Sequence, residues 1–548
     1  TFFAITRDPG GQLFLTGLSQ SDDDSRPLLG VPTQCVGRER ELNLLEASFN
    51  ACCDNSAAAV VLVSSPPGFG KSRLRHEFLR RLKTKNHDFL VLTGRGDPMS
   101  GGASYGLLAQ ALRRLFGIID GEEIHLRQDK IRSRVAQAVA GDQVQRVSEF
   151  LGEMCGTEFP ESILLHAARQ EPRVMGDQVA QAFIDFLSGE CAKHPVLLLL
   201  EDMHWGDALT VKVVDGALRD LSERPLMVMA LARPEIEDLF PKLWTERSRQ
   251  DIRLGALSKR ACERLIQQVL GPQVAPAVQT RIIDQAAGNA LFLEELIRSL
   301  AEGGSMAHHA VPETVVAMLQ ARIGRFEPGP RRAVRAAAVF GQTFWRGGVA
   351  AILDLAATPS MVEPWLEALV DAEVIERHPE SRVAEEQEYG FRHALVRDAA
   401  YALLTESDLT TGHGLAGNFL EAAGERDAVV VAQHFQRSGQ LERAAPLYQR
   451  AGDDSARLGL YSAARDHYVA ALGLLAQLPP APEVRYHQVD TLLRQVRVSL
   501  VSDHTQQNLQ RLATAEELIS ANLAATHKEL EQLEPAGTYL AEAVKLSE

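Results

Sequence analysis

The chemistry of this chain concentrates in two short clusters. The first reads Ser65-Pro66-Pro67-Gly68-Phe69-Gly70-Lys71-Ser72. Glycines at 68 and 70 let a backbone curl until several N–H groups converge on one point. Lys71 adds a long-armed cation there, and the Ser72 hydroxyl adds a small oxygen ligand. Converging amides, an ammonium and a hydroxyl suit a polyphosphate carrying Mg²⁺. The second cluster, Glu201-Asp202, sets two carboxylates side by side. One can hold the magnesium, directly or through water, while the other orients an attacking water. Asp is the commoner magnesium ligand, whereas strand register puts Glu201 first, so the division of labour between them stays open.

Such groups act together only where strands and helices deliver them to one place. The β-branched run at 60–63 predicts a buried strand just before the glycine loop. After the loop, RLRHEFLRRL predicts a helix with Leu74, Phe78, Leu79 and Leu82 on one face. Strand, glycine loop, Lys-Ser and helix in that order make the phosphate-binding loop of nucleoside triphosphatases. Ser65 departs from G-x-x-x-x-G-K-[ST] at the first glycine. That glycine mainly serves the turn, which Pro66 and Pro67 already restrict in φ. Prolines donate no hydrogen bond, so the amides of Phe69, Gly70, Lys71 and Ser72 must supply most of the grip. Ser65, Pro67, Gly68 and Arg73 complete the candidate nucleotide site.

A second apolar run, VLLLL at 196–200, predicts the strand whose tip carries Glu201 and Asp202. LMVMALARPE predicts another strand, ending in Arg233, where an arginine can sense a γ-phosphate. His204, close behind the acids, is expected to pack or hydrogen-bond beside the site rather than react. DFLVLTGRGDP, at 88–98, reads as one further strand and loop.

At 548 residues, with 45% hydrophobic side chains, the length suggests about three or four domains with ordinary cores. No apolar stretch approaches the ~18 residues of a membrane helix, and the start lacks a signal-peptide pattern. The first residue is Thr, which predicts a fragment or a processed form. Six cysteines without C-x-x-C spacing fit a reducing, cytoplasmic setting. A net charge of −15 argues against broad nucleic-acid binding.

In chain order, residues 1–34 read as the tail of an upstream domain and a linker. Residues 35–250 are expected to form the phosphate-loop domain, with an inserted helical stretch at 122–173. Helical periodicity over 251–308 predicts a small lid containing Gly288-Asn289-Ala290. Across 309–425, three helical patterns and the hairpin-like VIERHPESRVAEEQEYGFRH predict a winged helix without a concentrated basic recognition helix. Within 426–548, Gly439, Ala444, Tyr448 and Ala451 recur as Gly459, Ala464, Tyr468 and Ala471. Small and aromatic residues at those offsets suit helices stacked as in tetratricopeptide repeats. The 20-residue offset is shorter than one such repeat, so successive helices of a solenoid are expected rather than two full repeats.

Taken together, the motifs CVGREREL, GFGKSRL, LLLLEDMHWGD, ALARPE, GNALFLEEL and FRHALVRDAAYALL give a specific resemblance. Over residues 35–475 the chain resembles the signal-transduction ATPases with numerous domains (STAND). The combination is most similar to the ATPase region of large bacterial serine/threonine kinases with tetratricopeptide repeats. No kinase motif occurs in this chain. The resemblance implies an α/β phosphate-loop domain followed by an all-α lid, a winged helix and an α-solenoid. It implies ATP and Mg²⁺ as ligands, and Val36-Gly37-Arg38 as the segment that holds adenine. Catalysis would rest on Glu201, Asp202 and Arg233, and magnesium on Ser72 with the two acids. A protein partner would bind the repeats and bias an ATP/ADP switch. Two other functions are compatible with these motifs. A DNA-binding transcription regulator would need a basic surface, and a cycling ring ATPase would self-associate in a nucleotide-dependent way.

Overall fold

The computed structural model describes residues 3–7, 13–18, 27–85, 88–98, 104–170, 172–302, 314–379, 381–499 and 506–522. Two antiparallel strands, Phe3–Arg7 and Leu13–Leu18, precede everything else. Residues 27–32 then form a small bridge of paired dipeptides.

The central element is a five-stranded parallel sheet: β1 (Ala59–Ser64), β2 (Leu90–Arg95), β3 (Val196–Glu201), β4 (Leu226–Ala232) and β5 (Gln250–Arg253). Its order is β2-β3-β4-β1-β5. Strands that read as continuous apolar runs belong in a sheet covered on both faces, and the side chains divide accordingly. Val60, Leu62, Leu198, Leu200, Val228 and Ala230 face one core. Val61, Val63, Leu197, Leu199, Met227 and Met229 face the other.

The second face is covered by α1 (Glu39–Asp54) and α2 (Lys71–Thr84), through Leu42, Leu45, Phe49, Leu74, Phe78 and Leu82. Each such side chain, fully buried, contributes roughly 1.5–3 kcal/mol. The first face carries α3 (Gly106–Phe116), α4 (Ile124–Ala138), α5 (Val144–Met154), α6 (Ile163–Gln170), α7 (Pro172–Cys191) and α8 (Ala208–Asp220). The helices of the inserted stretch thus share one continuous core with the sheet.

β5 runs across the 250/251 boundary expected between the first domain and the lid, pairing with β1 from Val61 to Ser64. QDIR gives little strand signal because only Ile252 of its four residues is buried. The lid helices are α9 (Lys259–Leu270), α10 (Pro276–Ala286) and α11 (Ala290–Ala301). Ser258 and Asn289 cap two of them, and Pro276 opens the third. Leu28 and Val36 are buried in the lid core, so the end of the expected linker is built into the fold.

Next come α12 (Val315–Arg325), α13 (Pro328–Phe340), β6 (Thr343–Trp345), α14 (Arg346–Ile352), α15 (Glu363–Asp371), β7 (Ile375–Arg377), β8 (Glu388–Phe391) and α16 (Ala394–Tyr401). The hairpin pairs β7 with β8 antiparallel, and β6 adds a third strand on the far side of β8. Helical periodicity hides a three-residue strand, so β6 has no clear mark in the sequence.

Helices α17 (Glu406–Ala422), α18 (Ala428–Arg437), α19 (Leu441–Arg457), α20 (Tyr461–Leu475) and α21 (Pro482–Ser499) follow, and residues 506–522 are also helical. Gly439 and Gly459 hold φ of +76° and +74° at the turns before α19 and α20. Ala444, Ala451, Ala464, Tyr468 and Ala471 are buried between helices. A Cβ on Gly452 would meet the Tyr468 ring at 2.4 Å, so the small residue sets how closely α19 and α20 approach. Residues 523–548, the end of the expected repeat array, lie outside the described residues. Among the described residues no helix is long and apolar enough to cross a membrane.

Candidate nucleotide site

The glycine loop leaves the tip of β1 at Ser65 and enters α2 at Lys71. Gly68 and Gly70 take φ of +83° and +94°, the left-handed region that the curl requires. α2 therefore starts at the loop with its first amides unspent, the arrangement that receives an anion. Ser65 is buried, and its hydroxyl donates to Pro66 O at 3.1 Å. Lys71 Nζ donates to Ser65 O at 2.6 Å, to Ser65 Oγ at 3.2 Å and to Pro66 O at 3.3 Å. Burial pulls its ammonium down to about 8, against the opposing pull of Asp202 and assisted by Arg233.

Strand order fixes where the acids stand. β4 lies between β1 and β3, so the two tips are about 10 Å apart across two strand spacings. Gly96 N donates to Glu201 O at 2.8 Å, and a Cβ on Gly96 would come within 2.5 Å of Asp202 O. That glycine lets the chain after β2 press against the acids. Asp202 then turns out of the strand with φ of +49°.

The two acids consequently part company. Asp202 lines the cavity of the loop with Lys71, Ser72, Arg233 and Arg95. Arg95 Nε lies 3.4 Å from Asp202 Oδ2. Glu201 is buried and ion-paired with Arg75 of α2. His204 is also buried, and its Nδ1 accepts from Arg233 N at 3.4 Å. Burial holds its imidazole down at about 4, so it is neutral near pH 7. It packs against and braces the Arg233 backbone.

The expected adenine segment is also beside the loop. Val36 and Arg38 line the same cavity, together with Pro67, Gly68, Phe69, Gly70 and Arg73. Buried Arg38 ties three parts together, donating to Phe69 O at 3.0 Å and to Gly255 O at 2.8 Å. Gly37 holds φ of +69° with its α-carbon against α9, where a Cβ would meet Ala261 Cβ at 2.6 Å. Arg73 donates to Thr33 O, so it braces the loop helix against residues before Cys35.

The lid sits directly on the loop. Leu291 N donates to Gly68 O at 3.0 Å, and Asn289 Nδ2 donates to Pro67 O at 3.3 Å. Asn289 Oδ1 meanwhile caps α11 by accepting from Phe292 N. A Cβ on Gly68 would meet Asn289 at 2.6 Å, so this glycine serves the lid contact as well as the turn. Ala290, at the position following Gly288-Asn289, lines the cavity.

Sequence reasoning missed four contributions. Arg75 and Arg95 partner the acids; Arg75 is one of several arginines in RLRHEFLRRL and Arg95 a lone arginine at a strand tip, and neither setting hints at the pairing. Thr33 comes from the expected linker. The fourth is Arg392-His393-Ala394-Leu395, at the start of α16, which closes the cavity from beyond the lid. His393 Nε2 lies 3.8 Å from Glu294 Oε2 of α11. The motif FRHALVRDAAYALL could have pointed there, but nothing in the sequence places it over a loop more than 300 residues away.

A parallel sheet with a phosphate loop on one strand, acids two strands away and a helical lid defines an α/β nucleotide-binding ATPase core. Residues 34–229 match the family model of the AAA ATPase domain. Among curated proteins the chain is similar to an uncharacterized protein of Rhizobium meliloti (strain 1021), 22% identical over 479 residues. That match covers 81% of this chain and 43% of the relative, so the chain spans less than half the relative's length. Among solved structures it is similar to a STAND protein with a tetratricopeptide repeat sensor from Pyrococcus horikoshii. There the identity is 12%, the coverage 91% of this chain and 73% of the other, and the TM-score 0.45. It is also similar to the ORC1 protein of Aeropyrum pernix, solved in complex with DNA. That likeness has 13% identity, covers 70% of this chain and 97% of the other, and has a TM-score of 0.33.

Proposed function

We propose that the chain is an ATP-dependent regulatory switch of the STAND type, hydrolysing ATP slowly to reset. One observation carries this reading: residues 392–395 of the domain after the lid line the same cavity as the phosphate loop. A nucleotide held there would touch loop, lid and that domain at once. Its γ-phosphate would thus bear on how the three are arranged.

The residue roles follow from the placement. Amides at the start of α2 and the Lys71 ammonium bind the phosphates, Lys71 exchanging its bonds to Ser65 and Pro66 for phosphate oxygens. The Ser72 hydroxyl and the Asp202 carboxylate are hard oxygen donors lining one cavity, a set that suits magnesium. Magnesium, when bound, neutralises charge on the β- and γ-phosphates. Glu201 must release Arg75 before it can share the metal or orient water, which gives hydrolysis a conformational gate. In this reading Arg233 reports on the γ-phosphate, and Val36, Gly37 and Arg38 border the base, Val36 and Arg38 lining the cavity.

The domain from 309 to 425 is read as a winged helix that works by internal packing, and the helices from 426 as a repeat surface for a protein partner. A kinase domain, if the whole protein carries one, lies outside this chain. We assign the protein to the cytoplasm on its free cysteines. The reading is tested with Lys71→Ala, which should abolish ATP binding in calorimetry while leaving the helical circular dichroism unchanged. Equal ATP affinity in variant and wild type would overturn it.

A further inference from the structure

A row of hydrogen bonds runs from the helix beside the nucleotide cavity into the first helix of the C-terminal array. α16 brings Ala394 and Leu395 to that cavity at one end and carries Tyr401 at the other. Tyr401 Oη and His413 Nε2 of α17 are 2.7 Å apart. His413 Nδ1 is in turn 3.0 Å from His434 Nδ1 of α18. The two imidazoles are 1% and 0% exposed, and neither lines the nucleotide cavity.

One N–H lies between the two Nδ1 atoms, so one ring donates and the other accepts. If Tyr401 donates to His413, then His413 carries its proton on Nδ1 and His434 carries its own on Nε2. Each ring's lone pair is then spent as an acceptor, and a further proton enters only by breaking a bond. In the reverse direction the open lone pair is His434 Nε2, which is buried and makes no hydrogen bond. A proton taken there is a buried charge without a partner. The closed pair resists protonation either way.

The surroundings add to this. Arg397 of α16 and Arg437 of α18 are the cations acting on both rings. Half-exposed Asp398 pairs with Arg397 Nη1 at 2.9 Å, and no carboxylate is among the charges acting on the rings themselves. From α13, the Phe340 ring lies 6.1 Å from His434, and Arg335 is turned to Leu403 O at 2.8 Å. From α19, Tyr448 donates to Gln436 at 2.9 Å. Burial and the two cations hold His413 down at about 3 and His434 well below its ordinary value.

We propose that the Tyr401–His413–His434 chain is an acid-released clasp between α16 and the C-terminal array. Parting α18 from α16 and α17 returns both rings to water, where an imidazole titrates near 6.5. The open form then takes up two protons that the closed form refuses. Closure is therefore fully favoured above pH 6.5 and progressively lost below it. Between pH 7.5 and 5.5 each ring multiplies the open form about tenfold, and the two together about 100-fold. The clasp stands on its own geometry, and its consequence rests on the switch reading above. With it open, the array no longer bears on the helix beside the nucleotide, and the coupling between them is lost.

The test is hydrogen exchange on the full chain at pH 7.5, 6.5 and 5.5, corrected for the intrinsic exchange rate at each pH. It is run with and without Mg²⁺ and a non-hydrolysable ATP analogue. Opening of α18 (Ala428–Arg437) should rise about 100-fold over that range, and opening of β3 (Val196–Glu201) far less. His413→Gln and His434→Gln each leave one titrating ring and should cut the rise to about tenfold. Tyr401→Phe keeps both rings, so it should raise opening at every pH and leave the 100-fold dependence intact. A wild-type rise in α18 below about threefold would overturn the proposal, whatever the variants do. So would the full rise in both histidine variants, or its loss in Tyr401→Phe. An equal rise in β3 and α18 would place the acid effect in the whole fold and overturn it too. If the analogue fails to bind but α18 still opens with acid, the nucleotide reading fails and the clasp stands. If the analogue binds and α18 ignores acid, the clasp alone fails.

Discussion

Several carboxylates tie the lid to the following domain, and Glu373 is the one that comes from beyond the lid. Glu373, between α15 and β7, is 9% exposed. It accepts from Arg298 Nη2 of α11 at 2.5 Å and from Gly30 N at 3.1 Å, with Arg392 Nη1 at 3.4 Å. Burial pushes its carboxyl up, but the bonds from Arg298 and Gly30 and the charges of Arg298 and Arg392 outweigh that and hold it below the usual range. Glu373→Gln keeps the shape and removes the charge. Breaking a buried ion pair from one side costs about 3–5 kcal/mol. Glu295 lies 3.7 Å from Arg298 Nε and relieves part of the loss, so the lower end, ~3 kcal/mol, is expected. A loss of that size multiplies the open-to-closed ratio about 100-fold. A joint open about 1% of the time would thus approach parity. Single-turnover ATP hydrolysis should accelerate in Glu373→Gln, with the melting temperature lowered. Glu39→Gln is the control, since it breaks only an exposed pair with Arg264, worth less than about 1 kcal/mol. If Glu373→Gln matched Glu39→Gln in both turnover and melting, the latch reasoning would be wrong.

Other outcomes follow from the site and its surroundings. At pH 8 Lys71 is about half protonated, so a bound polyphosphate should draw in roughly half a proton, seen as a binding heat that varies with buffer ionisation. A heat independent of buffer would contradict the burial argument. Asp202→Asn should weaken Mg²⁺-dependent binding or hydrolysis directly, whereas Glu201→Gln should also free Arg75; wild-type turnover in both variants would remove the acids from the mechanism. Glu388 is held down at about 2 because His378, Arg382 and a backbone N–H overcome its burial. Its stabilising effect is therefore complete above the unfolded value near 4.5 and lost as pH falls towards 2. Glu388→Gln should flatten that acid limb in pH-dependent melting and leave it unchanged only if the assignment is wrong. Finally, Glu376, Glu385 and Glu386 surround the hairpin, so salt-sensitive binding to duplex DNA is expected to be absent at physiological salt.

The sheet and its loop were legible because their signals are local and redundant. Short apolar runs at 60–63, 196–200 and 226–232 read as buried strands, and the glycines, Lys71 and Ser72 follow one of them directly. Within each run alternate residues face the two different cores. Very short elements gave no such signal. β5 shows one buried residue in four, and β6 hides between helices. Partners across domains were also illegible, since pairing of Glu201 with Arg75, or of Glu373 with Gly30, depends on packing and not on spacing. The cavity at 392–395 is the clearest case: the motif was visible, but its position over the loop is a fact of tertiary structure alone.

The central claim is that the nucleotide at the phosphate loop is felt by the domain beyond the lid. Hydrogen exchange along Ala394–Tyr401 tests it most directly, comparing Mg-ADP with a non-hydrolysable ATP analogue on the wild-type chain. The account predicts different protection in the two states, because His393, Ala394 and Leu395 line the nucleotide cavity. Both nucleotides bound, with identical exchange across that helix, would contradict it.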